Sequence, residues 1–265
     1  MTRMMVIAIA ATMIITRDDV MDAAYRERGS RAEFASVVKI VPDSGGIASG
    51  VLIAPRWVLT AAHVANARPA DRFSIEVGGE RIRVLRSVLH PDYAGKAGFE
   101  RAPFDQALVE LERNAQIRPT AMADVIPDAG TLVTLVGYGV GGPRATDPAG
   151  TRRGAENRVD QAGGRLMRRD WPSHLLFLDF DMPGRETQNA LGSATPEPLE
   201  GIASGGDSGG GLFIQRNGEW VVAATFSFSS VNVAGAAAGN FAGTINMYVG
   251  VAAHREWIRR TVGGN

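Results

Sequence analysis

Cysteine is absent from the chain of 265 residues. That absence excludes a disulfide framework, a thiol nucleophile and thiolate-bound metal together. It leaves the compartment open, because a chain of this length buries enough core to be stable without crosslinks. An excess of one charge is missing too: Lys plus Arg and Asp plus Glu number 28 each, so no overall field draws the chain to nucleic acid or to an anionic membrane. Long apolar runs are also lacking. The longest, Met4 to Ile15 with Thr12 inside it, falls short of the ~20 residues that a bilayer-spanning helix needs.

That run follows Arg3 and ends at Arg17-Asp18-Asp19. It has the form of the apolar region of a secretory signal, and Ala8-Ile9-Ala10 fits a small-x-small cleavage site. Residues 1–13 are therefore expected to be a signal or pro segment, with a secreted or periplasmic product; a buried first strand is the alternative. A local basic run at Arg152, Arg153, Arg158, Arg165, Arg168 and Arg169 lies in Gly-rich sequence and reads as a solvated loop.

What is present is a series of short apolar or alternating runs between turn residues. Residues 34–41, 49–53, 57–60, 73–77, 81–85 and 107–111 read as strands. A second set follows at 131–139, 175–180, 211–214, 220–228 and 243–251. Strands of this length and spacing argue for an all-β sandwich or barrel. Two sets of similar size imply two β units with a boundary near 119–130, and a cleft between them as the place for a ligand. Residues 140–164 lack apolar periodicity and read as loop. Only Ala252 to Thr261 reads as helix, with Trp257 and Ile258 on its buried face.

Ser204-Gly205-Gly206-Asp207-Ser208-Gly209-Gly210-Gly211 is the stretch richest in chemistry. Its glycines free the backbone for positive φ around one hydroxyl and one carboxylate, as an exposed nucleophile on a tight turn requires. A serine hydroxyl needs a base, an acid to orient that base, and N–H groups to hold an oxyanion. Of four histidines, His63 follows a strand and sits among small residues, whereas His90, His174 and His254 read as surface or satisfied residues. Asp105 stands at the head of the apolar strand at 107–111, where a buried carboxylate needs a partner such as an imidazolium. Asp179 and Asp181, alternating along another strand, read as solvated or loop-bracing carboxylates rather than metal ligands.

The segments TAAH (residues 60–63), FDQALVEL (104–111) and GGDSGG (205–210), in that order, resemble the three catalytic signatures of the trypsin/chymotrypsin-like serine proteases, in a cysteine-free form of bacterial type. SGVLIAPRWVLTAAH resembles that family's approach to the histidine, and YVGVAAHREWI its last strand and C-terminal helix. The resemblance covers most of residues 34–261. It implies an all-β fold of two packed antiparallel β-barrels, at about 31–121 and 130–251, with the active site in the cleft between them and a C-terminal helix at about 252–261, all within one peptidase domain at 14–262.

It further implies His63, Asp105 and Ser208 as a triad, with Gly206 and Ser208 N–H groups as the oxyanion hole. Thr225 is implied as the hydroxyl that bonds the orienting carboxylate, and the backbone of Phe226 and Ser227 as an edge for an extended peptide. Asp207 would bind a freed N-terminal amine, supplied by processing between Ala10 and Ile15. Ile202 would form the base of the primary pocket and Asn246 its wall, so cleavage is expected after a small or medium uncharged residue. The expected partner is a protein or peptide substrate for a monomeric enzyme without metal or cofactor, without nucleic acid and without stable membrane association. Gly206-Asp207-Ser208-Gly209-Gly210 also fits the G-x-S-x-G elbow of α/β-hydrolases. That fold places its acid and histidine after the serine, and no aspartate follows Ser208. A silent protease-like binding module and an esterase on the same fold are the competing readings.

Overall fold

The computed structural model describes residues 15–139, 150–230 and 241–263. The first half forms one closed barrel of six antiparallel strands. In chain order these are β2 (Val37–Pro42), β3 (Ala48–Ala54), β4 (Trp57–Thr60), β5 (Phe73–Val77), β6 (Glu80–Leu89) and β7 (Ala107–Leu111), closed in the order β2-β3-β4-β7-β6-β5. Val38, Ile40, Leu52, Val58, Ile75, Ile82 and Val109 point inward and are almost wholly buried. This inward set recurs at every second position along most strands, the period that a pleated strand imposes.

The second half departs from the two-barrel expectation, because it does not close. β9 (Leu132–Gly137), β10 (Arg153–Arg158), β11 (Gln161–Leu166), β12 (Arg169–Asp179), β14 (Gly211–Arg216), β15 (Glu219–Ser230) and β16 (Ile245–Gly250) form an open sheet ordered β10-β9-β14-β15-β16-β12-β11. A short β8 (Ala121–Met122) pairs in parallel with β15 as its eighth strand. The end strands β10 and β11 are neighbours in sequence, but the residues joining them pull apart. Val159 N–H donates to Thr131 O beside β9 (3.0 Å), while Asp160 N–H donates to Phe177 O on β12 (2.9 Å). The Asn157 side-chain amide spans the gap instead, donating to Asp179 O (2.8 Å) and Gly201 O (3.2 Å). A third, two-stranded sheet pairs β1 (Ile15–Thr16) with β13 (Gly201–Ile202).

Nor is the chain all-β. Besides several 3₁₀ turns it has α1 (Asp22–Ser30), α2 (Ala62–Asn66) and the expected C-terminal helix, here α3 (Val251–Gly263). Helix α1 has little amphipathic signature, which is why periodicity misses it. A buried ion pair docks it instead: Arg153, fully buried on β10, forks onto Asp22 with Nε–Oδ1 2.7 Å and Nη2–Oδ2 3.0 Å. Gly29 permits the close approach, since a Cβ there would lie 2.5 Å from the Arg153 backbone. The basic run expected to be a solvated loop is thus partly strand, and Arg153 its buried anchor. Residues 153–158 and 161–166 are strands although the sequence pattern reads as loop: the inward places of the first are taken by Arg153, Ala155 and Asn157 rather than by large apolar residues, and the second buries only Gly163. The signal or pro segment at 1–13 lies outside the described residues.

Candidate active site

Strand β4 carries the chain to Ala61 and Ala62, both fully buried, and their small side chains let the short helix α2 nest beside Tyr93 and Ala107. His63 lies in its first turn. The 3₁₀ segment Gly98–Phe104 delivers Asp105 to the head of β7. The two meet twice: the His63 backbone N–H donates to Asp105 Oδ1 (2.8 Å), and the ring Nδ1 lies 2.7 Å from Oδ2. Ser227 Oγ donates to the same Oδ2 at 2.6 Å. An ionised carboxylate can only accept, so Nδ1 carries the proton and Nε2 is left as a proton acceptor. Asp105 is 4% exposed. Three donors offset the several kcal/mol that burying a carboxylate costs, of order as for other buried ions.

Ser208 sits half-buried on the turn between β13 and β14. Ser49 on β3 fastens this turn to the barrel. Its N–H donates to Ser208 O (2.9 Å), its Oγ donates to Gly206 O (3.0 Å), and its own carbonyl accepts from Thr60 Oγ1 (2.7 Å). Gly209, at φ +79°, lies so close to the end of β4 that a Cβ would fall 2.0 Å from Thr60 Oγ1 and 2.7 Å from Ala61 N. The serine turn is therefore pressed against the residues that lead into His63. Among the described residues no hydrogen bond joins Ser208 Oγ to the His63 ring. The N–H groups of Gly206 and Ser208 likewise have no acceptor among the described residues, whereas those of Asp207, Gly209 and Gly210 are all bonded within the fold (3.0, 2.9 and 2.7 Å).

Asp207 points inward and is buried. Oδ1 accepts from Gly139 N–H (2.8 Å) and Oδ2 from Ser204 N–H (3.1 Å), and burial pushes its carboxyl up to about 7. Thr225 does not reach Asp105, which corrects the expectation for the carboxylate's hydroxyl partner: Thr225 Oγ1 accepts from Gln106 Nε2 (3.1 Å), and Ser227 takes the expected place. Both are small hydroxyl residues on β15. A register irregularity between Phe226 and Phe228 decides which faces the acid, and no local sequence signal marks it.

Phe226 also departs from expectation. Its N–H donates to Gly210 O and its carbonyl accepts from Gly209 N–H, both at 2.9 Å, so its backbone is committed inside the fold. Ile202 pairs with Ile15 and packs against Ile15 and Phe180 in a sealed cluster. Asn246 is fully buried opposite Ser229 on β15, and its Nδ2 donates to Ser229 Oγ (3.1 Å). Asp179, read as loop-bracing or solvated, is wholly buried and braces a loop: its Oδ2 accepts from Ala190 and Leu191 N–H groups (2.6 and 3.0 Å).

A cleft of about 530 Å³ opens beside His63 and Asp105. Phe99, Ala102, Phe228 and Met247 give it an apolar wall, and Ser227 and Arg101 add polar groups. Among the described residues no cluster of three or more His, Asp or Glu side chains is arranged to hold a metal ion, and no helix is long and apolar enough to cross a membrane.

A family model described as Trypsin matches residues 26–258. The chain is similar to Kallikrein-8 of Rattus norvegicus, 29% identical over 107 residues, covering 35% of this chain and 39% of that protein. It is similar over a longer span to chymotrypsin-like elastase family member 1 of Felis catus, 24% identical over 241 residues, covering 82% of this chain and 79% of that protein. The matched part thus spans about two fifths of the kallikrein's length.

Proposed function

This chain belongs to the trypsin family, and from that premise we propose that it is a serine endopeptidase that hydrolyses peptide bonds through an acyl-enzyme. The observation that carries the reading is the doubly bonded His63–Asp105 pair, which leaves His63 Nε2 as an acceptor, with the Ser208 turn packed against Thr60 and Ala61 just before His63. Ser208 Oγ attacks the scissile carbonyl, His63 takes its proton and then returns it to the leaving amine, and Asp105 holds the tautomer and stabilises the imidazolium. The free N–H groups of Gly206 and Ser208 receive the oxyanion. The cleft walled by Phe99 and Phe228 accommodates apolar residues on the acyl side of the substrate.

Cleavage follows a small or medium uncharged residue, because the cleft walled by Phe99, Ala102, Phe228 and Met247 carries Arg101 and a carboxylate, Asp105, already engaged by His63 and Ser227, so it offers no counter-charge to Arg or Lys, while Ile202 is sealed against Ile15 and Phe180. A peptide library profile dominated by Arg or Lys overturns that preference. Processing between Ala10 and Ile15 in a secreted or periplasmic precursor would supply an amine to Asp207. Pairing of Ile15 with Ile202 and the lack of any ion pair to Asp207 among the described residues support it. N-terminal sequencing of active protein that returns Met1 rules the processing out.

The test of the activity is a fluorophosphonate probe. Labelling at Ser208 that disappears in His63→Ala supports the endopeptidase. A correctly processed protein that takes no label supports a second reading, a silent binding module, which the absent Ser208–His63 hydrogen bond favours.

A further inference from the structure

We propose that Gln106 is a positioning residue for Asp105, clamping the segment that carries the carboxylate to the opposite half of the molecule and to the C-terminal helix. The proposal rests on Asp105 being the orienting acid. Gln106 follows it directly and is fully buried. A wholly buried carboxamide has two N–H donors and one acceptor oxygen to satisfy. Here Nε2 donates to Thr225 Oγ1 (3.1 Å) and to Val249 O (3.0 Å), while Oε1 accepts from His254 Nδ1 (3.0 Å). The amide orientation is fixed by chemistry: a carbonyl such as Val249 O only accepts, so the nitrogen must face it. His254 must then hold its proton on Nδ1, since Oε1 can only accept.

The clamp reaches elements far apart in sequence. Gln106 lies just before β7 of the barrel, Thr225 and Val249 on β15 and β16 of the open sheet, and His254 on α3. Its backbone oxygen accepts from His90 N–H (2.9 Å). The rings of His90 and His174 lie 4.2 and 5.2 Å from that of His254, and burial pushes all three histidines down, His254 to about 3. His254 therefore serves as a neutral donor.

The geometry separates positioning from mere crosslinking. β15 grips two consecutive residues of the barrel, Ser227 holding the Asp105 carboxylate and Thr225 holding the Gln106 amide. Among the described residues, Asp105 itself has only its side-chain bonds to His63 and Ser227 and a turn bond from its N–H to Ala102 O (3.3 Å) to set its place. If the amide lets go, Asp105 shifts along β15 relative to Ser227. The His63 Nδ1–H bond is what suffers, while the cleft that binds substrate stays as it is.

Two readouts on the full chain test this. The first is the downfield proton resonance of His63 Nδ1–H, assigned by its loss in His63→Ala, which does not depend on turnover. The second is kcat and KM per active site titrated with a fluorophosphonate. Gln106→Leu, close in volume, is expected to lose or broaden the resonance and to lower kcat about ten- to hundredfold, one to two factors of ten in barrier terms, with KM within about twofold. Thr225→Val, which removes one acceptor only, is expected to show a smaller change of the same kind. Folded variants with the wild-type resonance and wild-type kcat overturn the proposal. Should Gln106→Leu not fold, Thr225→Val decides. Should the wild type not turn over peptides at all, the protease reading fails while the resonance still decides this one.

Discussion

Replacing Asp22 by Asn tests whether helix α1 is held by a buried ion pair. The Arg153 side chain has no exposed surface and that of Asp22 is 8% exposed; the fork between them is bidentate at 2.7 and 3.0 Å. The substitution keeps the shape and removes the counter-charge, leaving a buried guanidinium whose Nη1 retains only a 3.3 Å bond to Thr151 O. Breaking such a pair costs about 3–5 kcal/mol. Two smaller terms do not compete. Asp22 also lies in the first turn of α1, where a carboxylate is worth about 0.3–1 kcal/mol against the helix dipole. Its contact with the half-exposed Arg26 (3.2 Å) is worth at most about 1 kcal/mol. Against a typical domain stability of about 5–15 kcal/mol, the expected loss is large.

Urea unfolding of the wild type, Asp22→Asn and the double variant Asp22→Leu/Arg153→Met measures it. The double variant replaces the pair with apolar groups and is expected within about 1 kcal/mol of the wild type, or above it, because the desolvation cost of both ions goes with the pair. A loss below about 1 kcal/mol in Asp22→Asn alone refutes the argument and means that water reaches Arg153. The site should feel the large loss, since α1 is the next element after β1, five residues on, and β1's partner β13 leads into the Asp207 turn.

Four further outcomes are expected. Ser227→Ala removes a hydrogen bond to a charged acceptor, worth about 1.5–3 kcal/mol, and should lower kcat about ten- to hundredfold; a wild-type kcat refutes the correction from Thr225 to Ser227. Gly209→Ala brings a Cβ within 3 Å of Ser49 O, Thr60 Oγ1 and Ala61 N at positive φ, where strain alone costs about 1–3 kcal/mol, so fluorophosphonate labelling of Ser208 should be lost; unchanged labelling contradicts the packed turn. Burial holds the carboxyls of Asp181 and Asp207 up at about 7 and that of Glu200 at about 9, and raises Asp160 and Asp179 too. Groups raised in the folded state lend stability that is lost as pH climbs through those values. His90, His174 and His254 are lowered and act in the opposite sense only below about their ordinary 6.5. Melting temperature should therefore fall from pH 6.5 to 9, and a rise over that interval, followed by scanning fluorimetry, contradicts the buried carboxylates. Finally, Gly29→Ala meets the Arg153 backbone at 2.5 Å and should destabilise α1 docking, read as faster proteolysis near residues 15–30; an unchanged digestion pattern counts against it.

Much of the barrel was legible because its strands obey one rule. β4, β5 and β7 coincide with the apolar runs 57–60, 73–77 and 107–111, where inward side chains alternate with outward ones or the whole strand is buried. β10 was illegible because its burial depends on distant partners, and β11 because it buries only Gly163. Arg153 is buried only because Asp22 lies opposite, and Asn157 only because Asp179 O and Gly201 O do. Expecting a second barrel followed from the resemblance, and it failed at the link between β10 and β11, whose amides turn to different strands.

By itself the sequence determined the chemistry: one histidine among alanines, one aspartate heading an apolar strand and one serine among glycines, in an order that excludes the α/β-hydrolase arrangement. Those are local properties of residue type and spacing. Tertiary structure alone decided which hydroxyl meets Asp105, that Gln106 ties the acid's segment to the far sheet, and that Asp207 turns inward. Each of those depends on contacts between residues more than 60 positions apart, which local patterning does not specify, and a slip of one residue at Ser227 would have turned a phenylalanine toward Asp105 in its place.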